Sequence, residues 1–135
     1  MMFSKLLLIF SACFLGALGV GLSFFPQEVL VFFDQEQLPF TILVIQLAGS
    51  LYFGLAILNW MSKNRVIGGV YARPLLIINL IHFMVSSITL VKFSVGMLNT
   101  YLLILATVYI LFTFAFIYAF MTNPLAESEG MEEIH

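Results

Sequence analysis

Residues 73–92 read RPLLIINLIHFMVSSITLVK, and this stretch decides the class of the chain. Between Arg73 and Lys92 there is no Asp, Glu, Lys or Arg, and the single ionisable side chain is His82. A helix needs about 20 mostly apolar residues to cross a hydrocarbon layer ~30 Å thick, so the run is long enough to span a membrane. His82 then sits near the bilayer centre. An ionisable group at that depth is costly, which makes it either a lock between helices or a place where a proton, metal or ligand is handled.

The rest of the chain agrees with a membrane setting. Hydrophobic residues are 62% of the 135 and charged residues 9%; the mean hydropathy is +1.11. Ordinary soluble domains hold roughly 45–50% apolar and 25% charged residues. Apolar runs over 6–25, 39–61, 74–91 and 98–121 each have spanning length. Lys5 ahead of a leucine-rich stretch gives the first run the look of a signal peptide. Its apolar character continues through Phe25, longer than a signal core, so it reads as a permanent span. Residues 26–38 mix Glu28, Asp34 and Glu36 with Val29, Leu30, Val31, Phe32 and Phe33, the pattern of a short helix lying in the interface.

Short connections make consecutive spans antiparallel, which predicts an all-α, up-down four-helix transmembrane bundle over 1–123 and an acidic tail over 124–135. Lys5 precedes the first span, Lys63, Arg65 and Arg73 lie between the second and third, and Lys92 alone falls on the other side. The positive-inside bias therefore places both termini in the cytoplasm and the chain in the inner (cytoplasmic) membrane. The tail, with Glu127, Glu129, Glu132 and Glu133, reads as disordered.

Small residues give each helix a packing face. Ala12, Gly16, Gly19 and Ser23 form one stripe on the first span, and Gly49 and Gly54 with Ser50 and Gln46 form another on the second. On the third, Asn79, His82, Ser86 and Thr89 fall within an arc of about 80° at about 100° per residue. Ala106, Tyr109 and Thr113 of the fourth are expected to complete that interior. Antiparallel spans put Ser50 and His82 at similar depth, so the expected ligand-binding candidates are Asn79, His82, Gln46 and Ser50. No span contains a carboxylate, and His82 reads as a neutral imidazole that donates from one nitrogen and accepts at the other. Lys63, Arg65 and Arg73 are candidates to hold an anionic headgroup or a partner's carboxylate.

Several classes lose support. The net charge of −2 and the lack of a basic patch leave nothing for nucleic acid. Gly68 and Gly69 belong to no phosphate-binding motif, and every acidic residue lies at a membrane edge, so no Ser-His-acid triad is readable. The reading leans away from an enzyme. Cys13 is the single cysteine, and no metal-ligand set is readable. No cofactor is expected. Haem would need a second chain, or Met84 or Met97, to supply the axial ligand opposite His82; a quinone is the other candidate.

Gly54 and Asn59-Trp60 closing the second span, and Gly68-Gly69 with Arg73-Pro74 opening the third, resemble the layout of small four-helix bacterial membrane proteins of the DoxX-like group. Some members of that group are associated with quinone-linked or sulfur-linked oxidoreductase complexes. The resemblance implies an accessory membrane subunit, and the lack of a cysteine pair separates this chain from an electron carrier. The expected function is an accessory or structural subunit whose partners are membrane lipids and another membrane protein or a second copy. The alternative is a membrane-embedded binding protein for a lipid-like or quinone-like molecule. An oligomeric channel or transporter is third, since no ring of charges or interrupted helix pair is present.

Overall fold

The computed structural model describes residues 2–64 and 72–122. They form five helices, α1 (Met2–Phe24), α2 (Pro26–Phe32), α3 (Pro39–Ser62), α4 (Ala72–Met97) and α5 (Thr100–Thr122), with no strand among the described residues. Four are long and apolar enough to cross a membrane, at 23, 24, 25 and 23 residues. Each reaches about 35 Å at ~1.5 Å per residue, past the ~30 Å hydrocarbon layer. The protein is an all-α, multi-pass membrane protein. Arg65, Gly68, Gly69 and the acidic tail lie outside the described residues.

Contacts divide the described chain into two compact units, residues 4–64 and 72–122. In the first, α1 and α3 run antiparallel. Ser11 meets Asn59, Gly16 faces Ala56, Gly19 faces Phe53, and Ser23 faces Gly49, so the numbers fall on one helix as they rise on the other. This seam is built from absent side chains. A Cβ on Gly19 would lie 2.7 Å from the Phe53 nitrogen and 2.9 Å from its Cα, and one on Gly49 would lie 2.6 Å from the Ser23 nitrogen. Those neighbours are backbone and cannot swing aside. Ala12 is buried on the same side, as the sequence suggested. Gly54 is not on the seam: a Cβ there meets no described atom within 4 Å.

Between the two helices, Pro26 occupies the first turn of α2 and is buried with Leu30, which seats this short helix on its own unit. Its end is a Schellman turn. Gln35 N–H donates to the Leu30 carbonyl at 2.8 Å and Asp34 N–H to the Val31 carbonyl at 3.1 Å, with Asp34 at φ 53°. The helical part of the interfacial segment is therefore shorter than 26–38.

In the second unit α4 and α5 form a hairpin turned by two residues. The sequence puts the end of the third span at Val91, just before Lys92, yet α4 continues to Met97. A lysine does not break a helix, because its stem lies along the helix while its charge reaches out. The stop is Leu98 at φ 50°, whose N–H donates to the Ser94 carbonyl at 2.9 Å. That left-handed cap is usually left to glycine and costs a leucine about 1–2 kcal/mol. Asn99 Oδ1 then accepts from the N–H groups of Tyr101 at 3.0 Å and Leu102 at 3.2 Å, capping α5. Asn99→Ala is expected to lower the unfolding free energy by about 1 kcal/mol, and Asn99→Asp to retain most of it, in a mixed-micelle denaturation titration.

Candidate functional site

The deepest polar and aromatic chemistry of the second unit lies along one face of α4. Leu76, Asn79, Phe83, Ser87 and Ser94 are buried there, at the three- and four-residue spacing that keeps side chains on one helix face. Asn79 is fully buried and its Nδ2 donates to the Leu75 carbonyl at 2.9 Å, one turn back. On α5, Ala106, Tyr109, Thr113, Phe116 and Ala119 are buried, so the expected interior positions of that helix are correct.

Phe83 is the centre of an aromatic cluster. It stacks on Phe112 at 4.7 Å between centroids and on Phe116 at 5.4 Å, with Tyr109 tilted against it at 5.4 Å. One residue earlier, His82 is half-buried on the flank. Its ring stands edge-on to Phe83 at 5.2 Å and tilted to Tyr109 at 6.0 Å. The imidazole thus borders the cluster, with the Asn79 amide one turn away on the same helix.

The buried polar face of α4 is turned from the expected arc. Thr89 is exposed and donates to its own Val85 carbonyl at 2.9 Å, and Ser86 is half-buried. Ser87, which the sequence did not single out, takes the inward place. Its Oγ lies 2.6 Å from the Phe83 carbonyl and 3.1 Å from Thr113 Oγ1, which is itself 2.9 Å from the Tyr109 carbonyl. Each hydroxyl has one proton, so one bonds across the helices while the other bonds back to its own helix.

In the first unit, Gln46 is exposed and its Nε2 reaches the Ser23 carbonyl at 3.4 Å, tying α3 to the last turn of α1. Ser50 is also exposed, and its hydroxyl donates to the Leu47 carbonyl at 2.7 Å. Of the four expected ligand-binding residues, Gln46 and Ser50 belong to this unit and Asn79 and His82 to the other. A deep polar pair escaped sequence reading here. Asn59 Nδ2 donates to Ser11 Oγ at 3.0 Å, with both residues fully buried. Asn59 had the same claim on notice as Asn79, an amide inside an apolar run, but was read only as marking the end of the span.

At that end of α3 the Lys63 ammonium lies 2.9 Å from the Trp60 ring centroid. Such cation–π contacts hold a lysine head at the membrane surface, where Trp is favoured. Arg73 is exposed at the start of α4, and Arg65 lies outside the described residues. Among the described residues, no three His, Cys, Asp or Glu side chains come together as a metal site would need. Comparison with protein-family models, curated proteins and solved structures gives no match. The geometry itself carries the functional reading.

Proposed function

We propose that the protein is an accessory or structural subunit of a membrane complex, seated in the inner (cytoplasmic) membrane with both termini on the cytoplasmic side. The observation that carries this reading is where the deep polar groups go. Among the described residues, each unit has a side-chain pair bonded across its two long helices, Ser11 with Asn59 and Ser87 with Thr113. Interhelical bonds of this kind fix packing and register in a medium that supplies no competing water. The placement of lysine and arginine supports the orientation. The resemblance to the DoxX-like group points to a place beside a quinone-linked or sulfur-linked oxidoreductase.

A second reading rests on His82. It is half-buried, polar and bordered by aromatic rings, an arrangement suited to the carbonyl of a lipid-like or quinone-like molecule. Native mass spectrometry of the full chain released from nanodiscs, wild type beside His82→Leu, separates the two. A structural subunit is expected to show the same bound species in both and unfolding free energies within about 1 kcal/mol. A small-molecule adduct held by the wild type and absent from folded His82→Leu would move the conclusion to the binding reading.

A further inference from the structure

The connection between α1 and α3 carries a surface that the accessory-subunit reading does not use. Gln27, Glu28, Val31 and Phe32 on α2, with Gln37 beyond the turn, line an open groove of ≈ 470 Å³. On α2, Glu28, Val31 and Phe32 lie on the side away from the buried Pro26 and Leu30, so the groove is on the outward side of the helix. Its wall is mostly apolar, with a smaller polar part. Val31 and Phe32 are 58% and 57% exposed beside the Glu28 carboxylate and two primary amides.

Location fixes what such a surface faces. α1 ends at Phe24 and α3 begins at Pro39, so the segment between them lies at the level of the headgroups and upper acyl chains. The charge there has one sign. Glu28, Asp34 and Glu36 are its ionised groups, and no Lys, Arg or His occurs between Lys5 and Lys63. An anionic headgroup is repelled, and a group that presents an ammonium to the carboxylate and alkyl chains to Val31 and Phe32 is matched on both counts. A primary ammonium has three N–H donors, which Glu28 and the amide oxygen of Gln37 can accept, and a cation is attracted to the face of an aromatic ring such as Phe32.

We propose that the groove between α2 and Gln37 is a headgroup site for an amine-bearing phospholipid, its ammonium on Glu28 and Gln37 and its upper acyl chains on Val31 and Phe32.

The test is a lipid titration of the full chain in mild detergent, read by native mass spectrometry, with dioleoyl phosphatidylethanolamine against dioleoyl phosphatidylglycerol. The wild type is expected to retain the ethanolamine lipid in preference. Glu28→Gln is expected to weaken that retention about fivefold, the scale of an exposed charge pair, and to leave the glycerol lipid unchanged. Glu36→Gln, an exposed carboxylate outside the groove, is expected to change neither. Equal retention of the two lipids overturns the proposal, as does a preference that survives Glu28→Gln. A loss with Glu36→Gln as large as with Glu28→Gln overturns it in favour of a diffuse acidic field. Displacement of the ethanolamine lipid by an oligolysine peptide at equal concentration assigns the groove to a basic protein segment instead.

Discussion

Gly19→Ala and Gly49→Ala are each expected to destabilise the protein by about 2–3 kcal/mol, the upper range for overpacking a tight contact. The added methyl groups would meet backbone atoms at 2.6–2.9 Å, so the helices must separate along the seam. Moving two helices apart also loosens the contacts on either side, including the Asn59–Ser11 bond. Gly54→Ala supplies the control. Its methyl group enters open space, and removing a glycine from a helix interior is expected to be neutral or to stabilise by up to about 1 kcal/mol. Unfolding of the three variants in a denaturing-detergent titration, followed by circular dichroism, is the measurement. Equal losses in all three would mean that glycine itself, rather than close approach, sets stability.

Ser11→Ala is expected to cost about 1–2 kcal/mol, more than a buried serine methylene would suggest, because it removes the oxygen that the Asn59 amide donates to. The pair is fully buried, so no solvent replaces the lost acceptor. Asn59→Leu alone leaves a hydroxyl that still donates to the Leu8 carbonyl at 3.1 Å, and is expected to cost less. The double variant should then be less damaged than the sum of the singles, with a coupling of about 0.6–2 kcal/mol in a double-mutant cycle. Additive losses would show that Ser11 and Asn59 act separately.

The spans were legible because length and apolar content are enough to identify a membrane helix. Their ends were less so. Lys92 looked like a boundary since charge marks the edge of hydrocarbon, but the helix ends five residues later, where Leu98 leaves helical geometry. Orientation of faces divided in the same way. Gly19 and Gly49 were readable as seam residues, while Gly54, on the same helix as Gly49, was given the wrong face. The polar residues Gln46, Ser50 and Asn59 of α3 are scattered round a mostly apolar helix, which leaves little asymmetry from which to read its rotation.

Serine and threonine were the hardest. Ser50, Thr89 and Thr107 bond to carbonyls of their own helix and need no neighbour, whereas Ser11 and Ser87 use the same hydroxyl chemistry at a helix contact. The sequence does not distinguish the two because both satisfy the hydroxyl equally well. Asn79 and Tyr109 were legible as interior positions of their helices, because large or strongly polar groups have fewer places to go.

The antiparallel seams also set a timetable for assembly at the ribosome. Asn59 follows Ser11 by 48 residues, and Thr113 follows Ser87 by 26. Synthesis proceeds at about 5–20 residues per second, so every residue of the α1–α3 seam exists seconds before α5 has been made. The first pair can close with no help from the second. Leu98 and Asn99 shorten the remaining step, since a two-residue reversal leaves α5 beside α4 as it emerges and keeps the loop-closure entropy small. Each half is in this sense a self-contained unit of biogenesis, its partners encoded next to one another in translation order.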